Sequence, residues 1–199
     1  MKKSQLIKEA EARIPTDWGE FRMLAFKSNA SNYAPHIVMV HPEMDPSDVV
    51  TMRIHSECLT GDLFHSQRCD CGEQLDQGMK TIAKEKGLLV YMRQEGRGIG
   101  IINKLKAYNK QDEGLNTIEA NEALGLEVDG RRYDEVIRIL ESLGVTKVNL
   151  LTNNPLKLQA VRLSNIELVE RRPIEIEPHS KNSGYLTTKK EEMGHLLTF

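Results

Sequence analysis

A metal ion is the first chemistry this sequence invites. Its three cysteines, Cys58, Cys69 and Cys71, all fall in the segment HSECLTGDLFHSQRCDCG. Ten residues separate Cys58 from Cys69, and one separates Cys69 from Cys71. In an extended segment residues i and i+2 point the same way, so Cys-Asp-Cys offers two thiolates to one ion. The loop between brings Cys58 around as the third ligand. Thiolates in tetrahedral arrangement suit zinc. Ordinary buried thiols are the bland alternative, and the clustering argues against it. The odd count argues against a disulfide framework. A structural zinc site is usually closed by four protein ligands, and no fourth cysteine exists. Either a histidine completes the set, with His55 and His65 nearest in sequence, or water does. A histidine ligand would make the site structural. Water in an open position has its pKa lowered to about 7 by zinc. The open arrangement, with no histidine ligand, is the expectation here, because of the motifs that follow.

Glu57 precedes Cys58 in His-Ser-Glu. The triplet is similar to the H-x-E signature of zinc deaminases, but their P-C-x-x-C half is absent. So short a match also fits a polar pair at a strand end. RQEGRGIG (93–100) lies between a strand-like and a helix-like run. Gly96, Gly98 and Gly100 permit tight turns and close approach of a ligand, and Arg93 and Arg97 add charge suited to phosphate. The pattern is neither a Walker A loop nor GxGxxG, and alone it is an ordinary strand-to-helix turn. LTNNPLK is a second such turn, with Thr152 and Lys157 able to donate to an anion at a helix start. Asn154-Pro155 is good helix-start chemistry with or without a ligand. Two such turns beside a metal point to a pocket for a nucleotide polyphosphate.

These residues need positioning elements. HIVMV (36–40) and VVTMRI (49–54) read as strands, and a hairpin is expected at Trp18-Gly19, so the first third reads as an antiparallel meander. Leu75, Met79 and Ile82 have helical spacing across 73–86, and Gly87 ends the run. LLVYM (88–92) is a buried strand. Helices follow at 101–112, at 117–125 with Thr117 as cap, and at 133–143. VNLLT (148–152) is a strand, and Asn154-Pro155 opens a helix. The tail reads as a strand near 167–176 and a helix near 185–196. Strands alternating with helices after residue 72 imply βαβ units. The expected fold is α/β: one domain over 1–199, a mixed sheet with a β-rich N-terminal third, layered by helices.

Composition agrees. The chain has 199 residues, 39% hydrophobic and 28% charged, typical of a globular protein. A net charge of −2 and 5% aromatic residues disfavour a nucleic-acid partner. No run reaches the roughly 18 apolar residues of a membrane span. MKKSQLIKEAEARIP has no apolar core of a signal peptide. A cytoplasmic location is therefore expected.

RIHSECLTGD, RCDCG, RQEGRGIG, IEAN and LLTNNP together resemble GTP cyclohydrolase II. The likeness runs nearly end to end and finishes with KKEEMGHLL. It implies a stand-alone enzyme for the first step of riboflavin synthesis, opening the imidazole ring of GTP with loss of formate from C8 and pyrophosphate. It implies zinc on Cys58, Cys69 and Cys71, magnesium with the triphosphate, and a homodimer. No apolar stripe in the sequence identifies an interface. GTP contacts are implied at Arg53, Ile54, His55, Ser56, Glu57, Gln74, Glu95, Gly96, Arg97, Thr117, Thr152 and Lys157. Asp129 matches the family's proton acceptor, Arg131 its proposed nucleophile toward the α-phosphate, and Tyr108 a tyrosine near the purine. A guanidinium has no free lone pair at neutral pH, so a phosphate clamp is the simpler role for Arg131. A helical tyrosine is usually packing, so Tyr108 has a purely structural alternative. Two other functions remain open: a zinc hydrolase of another purine nucleotide, and a zinc-stabilised binding module without chemistry.

Overall fold

The computed structural model describes residues 6–28 and 34–199, so the parts of the sequence reading at 1–5 and 29–33 lie outside the described residues. Strands β1 (Leu6–Thr16) and β2 (Gly19–Ser28) form the expected hairpin. Its turn closes at Gly19, whose φ of +122° suits a residue without Cβ. β3 (His36–Val40) adds antiparallel to β2. β4 (Val50–Ser56) does not continue this meander. It is separated from β3 by β5 (Leu88–Met92), and it runs parallel to β5 and to β6 (Lys147–Leu151). β7 (Glu167–Arg172) completes a mixed seven-stranded sheet in the order β1-β2-β3-β5-β4-β6-β7. The meander is thus three strands long, and the helix that follows β4 makes the crossover that returns the chain parallel.

That crossover contains the short α1 (Leu59–Asp62) and then α2 (Cys71–Lys84). After β5 come α3 (Gly100–Asp112), α4 (Thr117–Ala123) and α5 (Asp134–Ser142); α6 (Pro155–Arg162) follows β6, and α7 (Ser183–Glu191) follows β7. Strand alternation splits the interior. Val50, Met52 and Ile54 of β4 and Leu88, Val90 and Met92 of β5 face α5 and α6 and join Val136, Ile139, Leu140, Leu158 and Val161. Leu89 of β5 takes the other face, with Phe21 and Met39, against Met79 and Ile82 of α2. The result is a helix–sheet–helix sandwich.

Local starts and stops differ from expectation in small ways with clear causes. α4 is capped by Asn116, not Thr117. The Asn116 side chain accepts from Ile118 N and Glu119 N, and the Glu119 side chain accepts from Asn116 N, which is a capping box. Asn154 caps α6, accepting from Leu156 N, with Pro155 at the first position. α7 begins and ends earlier than the 185–196 reading, and the chain beyond it is irregular.

Candidate metal centre and substrate pocket

The parallel strands β4, β5 and β6 all end at one edge, and the loops that leave them carry the chemistry. This is where open α/β sheets bind ligands. β4 delivers Ser56, Glu57 and Cys58; β5 delivers Arg93 to Arg97; β6 delivers Thr152 to Asn154.

The three cysteines meet. Their sulfur atoms lie within 4.8 Å of one another, with Cys58 Sγ 3.7 Å from Cys69 Sγ. Three sulfurs on one zinc at about 2.3 Å would be about 3.8 Å apart, so the donor set fits that ion. Gly61 supplies the space. A Cβ there would lie 2.9 Å from Cys69 Sγ and 3.2 Å from Cys58 Sγ. Asp62 ties the loop together. It accepts from Cys58 N at 2.9 Å and from the Tyr91 hydroxyl at 2.8 Å, and it lies 3.0 Å from His55 Nε2. His55 is buried and stacked on Tyr91. His65 is exposed. Among the described residues, the cluster of possible metal ligands contains the cysteines and no histidine.

The thiols share their charge unequally. Contact with Cys69 and Cys71 and the nearby Lys104 ammonium hold Cys58 far below the usual thiol range. Its thiolate in turn pushes Cys69 up to about 12. Lys104 Nζ donates to Cys58 Sγ at 3.1 Å and to Glu95 Oε1 at 2.9 Å. Burial alone would lower the Lys104 pKa, but the Cys58 thiolate and its other neighbours raise it. Glu95 also accepts from Gly96 N and, through Oε2, from Leu59 N at 2.5 Å. Both of its oxygens are therefore committed, and it joins the glycine turn to the metal loop. Glu57 is freer. One of its oxygens is 3.0 Å from Arg93 NH2, and burial raises its pKa.

The sulfurs open onto a cavity lined by Arg53, His55, Ser56, Glu57, Gln74, Glu95, Gly96, Arg97, Tyr108, Thr117, Arg131, Thr152 and Lys157. Two residues of the sequence reading stand behind it. The Ile54 side chain is in the core at 0% exposure, and its carbonyl accepts from Lys157 Nζ at 2.8 Å. Asp129 backs Arg131, accepting from its Nε at 2.8 Å, from its backbone N at 3.1 Å and from NH2. Burial would raise the Asp129 carboxyl, but Arg131 brings it below its usual range. Burial would likewise lower the guanidinium of Arg131, and Asp129 raises it further instead.

Three other cations in this cavity have no carboxylate partner among the described residues. Arg53 donates to Leu151 O and to Gln74 Oε1, and burial lowers its pKa to about 10. Lys157 meets a carbonyl, and burial plus the neighbouring cations push its ammonium well down. Both terminal nitrogens of Arg97 are buried without a hydrogen-bond partner, and the guanidinium lies 5.8 Å from the Tyr185 ring centre. The Arg97 backbone has φ +62°, next to Gly96 at +60°. A left-handed arginine costs on the order of 1–3 kcal/mol, a strain typical of ligand sites. Buried positive charge without a counter-charge is unfavourable, and a polyanion relieves it.

As site residues, Lys104, Asp62, Asp70 and every residue after α6 went unnoticed in the sequence. Tyr185, Lys189, His195 and Leu197 line the same cavity. Of the residues missed, only Asp70, between Cys69 and Cys71, offered a signal. The tail offered only the likeness of KKEEMGHLL to the family, and nothing in its spacing ties it to the loops it covers.

Fold and site together define an α/β protein with a three-thiol metal site at the carboxyl edge of its parallel strands, beside a cationic cavity. A model of GTP cyclohydrolase II matches residues 7–173. A GTP cyclohydrolase-2 of Shewanella frigidimarina is 47% identical over 190 residues, covering 95% of this chain and 94% of that protein. One from Buchnera aphidicola is 50% identical over 196 residues, 97% of this chain and 98% of that protein. A riboflavin biosynthesis protein RibBA of Chlorobium phaeovibrioides is 48% identical over 200 residues, where the chain spans about half of the relative, 48%. The chain belongs to the GTP cyclohydrolase II family of hydrolases.

Proposed function

We propose that this protein hydrolyses GTP, opening the imidazole ring with release of formate from C8 and of pyrophosphate, the first step of riboflavin biosynthesis. The observation that carries the reading is the company the thiols keep. Arg53, Arg97 and Lys157 face the same cavity without a carboxylate partner among the described residues. Held at Cys58, Cys69 and Cys71 with its fourth position open, zinc would supply Lewis acidity and a water of lowered pKa for attack at C8.

The chain's own groups divide the remaining work. Arg53, Arg97, Arg131 and Lys157 bind the triphosphate and stabilise charge that develops on it. Thr152 adds a hydroxyl donor, and Thr117 and Gln74 complete the wall. Asp129 holds Arg131 as a two-pronged fork. With its carboxyl kept acidic by Arg131, Asp129 is a weak base and a good orienter, and Arg131 is a clamp. Glu57 is the carboxylate we assign to the guanine N–H groups, because both Glu95 oxygens are occupied. Tyr108 lies near the sulfurs, on the face of α3 that carries Lys104, which suits a role in placing water. Magnesium with the triphosphate, a homodimer and a cytoplasmic location complete the proposal on the strength of the resemblance. No helix among the described residues is long and apolar enough to cross a membrane. We also read residues 1–199 as one domain, supported by seven strands sharing one sheet.

The test is direct. The zinc-loaded protein is incubated with GTP and magnesium, and formate and pyrophosphate are measured. Both products are expected in equal amounts. Neither product from GTP sinks the proposal, and turnover of another purine nucleotide instead would move the assignment to that base.

A further inference from the structure

The segment after β7 lies beyond the 7–173 family match, yet it walls the cavity. α7 is anchored by Leu186, which is 1% exposed. Lys189 Nζ donates to Asp70 Oδ1 at 2.7 Å, across to the residue between two of the thiols. Asp70 also accepts from Gln74 Nε2 at 2.6 Å. Past α7 the chain turns back along the loop after β6. Leu196 N donates to Asn153 O at 2.8 Å, and Arg171 NH2 donates to Leu196 O at 2.8 Å. These bonds set His195 at the cavity. Its imidazole is held neutral by burial and then by Lys189, Arg131, Lys157 and Arg97. Lys189, Arg131, Lys157 and Arg97, from four separate segments, line the same cavity as this ring. A neutral imidazole gives them no counter-charge and leaves a ring N–H able to donate to an anion.

We infer that the segment from Asn182 to Leu197 is a wall of the substrate site, and that Lys189 and His195 are further residues binding the polyphosphate chain of the nucleotide. This rests on the nucleotide reading above, but it concerns anion binding and can be tested apart from turnover. Lys189 plays two parts: it pairs with Asp70, which latches the tail beside the metal loop, and it adds positive charge to the cavity. His195 contributes a donor from the irregular strap.

The probe is inorganic tripolyphosphate, titrated calorimetrically into the zinc-loaded full chain. His195→Ala removes a side chain that belongs to neither hydrophobic core, so it tests the inference with both cores intact. It should bind tripolyphosphate about tenfold more weakly, the loss of one hydrogen bond to a charged group. Its KM for GTP should rise by a similar factor, with kcat and zinc content little changed. Lys189→Met should weaken binding more, and Lys189→Arg should recover most of it. Tripolyphosphate affinity of His195→Ala within twofold of wild type would overturn the inference. Should wild type release no formate from GTP while His195→Ala still binds tripolyphosphate more weakly, the hydrolase reading falls and the wall stands.

Discussion

Gly61 is where a single missing methyl group matters most. The cysteines converge only because no Cβ occupies the space between Cys58 Sγ and Cys69 Sγ. Gly61→Ala would put an atom 2.9 Å from one sulfur and 3.2 Å from another, forcing them apart. Zinc affinity, measured by competition with a chromogenic chelator, should drop about 10–100-fold, the usual effect of disturbing groups behind metal ligands. Arg131 raises a different question. Its guanidinium is buried against Asp129, which raises its pKa, so a neutral nucleophilic form is even less accessible than in water. Arg131→Lys should therefore retain pyrophosphate release at about 1–10% of wild type, the loss expected when a fork becomes a point charge. A requirement for a covalent guanidinium would abolish it, and quenched-flow measurement of pyrophosphate decides. His195 allows a test by pH. Its folded pKa is pushed down to about 2 by burial and four cations, against about 6.5 when unfolded. The unfolded chain binds the extra proton between these values, so stability rises with pH across that window. Between about pH 5 and 6.5, above the range where Asp70 and Asp129 exchange protons on unfolding, His195→Gln should show a flatter dependence than wild type. Thermal unfolding of zinc-depleted protein from both would show it.

At the level of elements, Asn116 makes two bonds that local chemistry alone would have placed correctly: it accepts from Ile118 N and Glu119 N. Removing them with Asn116→Ala should cost about 1 kcal/mol, or roughly 2–4 °C in Tm for a chain of this length, read by calorimetry. The sequence reading put the cap one residue later because Thr117 is also a good cap and the apolar period does not settle the first turn. Helical and strand periods were otherwise legible, since Leu75, Met79 and Ile82 or Leu88, Val90 and Met92 must each face one side. What periodicity could not reveal was strand order. HIVMV and VVTMRI look like neighbours in a meander, but β5 enters between them, a non-local choice that no local pattern encodes. The metal site was legible because its ligands are close in sequence and chemically distinctive. Lys104 was not, because a lysine on an amphipathic helix normally reads as solvated, and only the fold turns this one toward Cys58. The glycine turn falls between these cases. Its glycines were visible, but the left-handed Arg97 and the Gly130 N to Arg97 O bond at 2.9 Å, which joins it to the Asp129–Arg131 loop, were not.

The molecule as a whole keeps its metal chemistry apart from its folding core. The larger cluster, from Leu24 to Ile166, contains no thiol, and the smaller one reaches α2 through Met79 and Ile82, two turns beyond Cys71. Small zinc modules unfold without their ion because the ion replaces a core; here the core exists without it. Magnitudes support the distinction. Zinc present at a thousand times its Kd adds about 4 kcal/mol of stability. That would erase the whole of a weak domain, but only part of a total of about 5–15 kcal/mol. Each kcal/mol corresponds to roughly 2–4 °C at this size, so stripping the metal with a chelator should lower Tm by about 8–16 °C. The far-ultraviolet circular dichroism at 25 °C should stay close to that of the zinc-loaded protein. Formate release should vanish and return on adding zinc, because the ligand loop is held by Asp62 to Tyr91 and to Cys58 N as well as by the ion. Loss of helical signal on chelation would mean that the three thiols organise the sheet edge itself, and the separation of site from core would then be wrong.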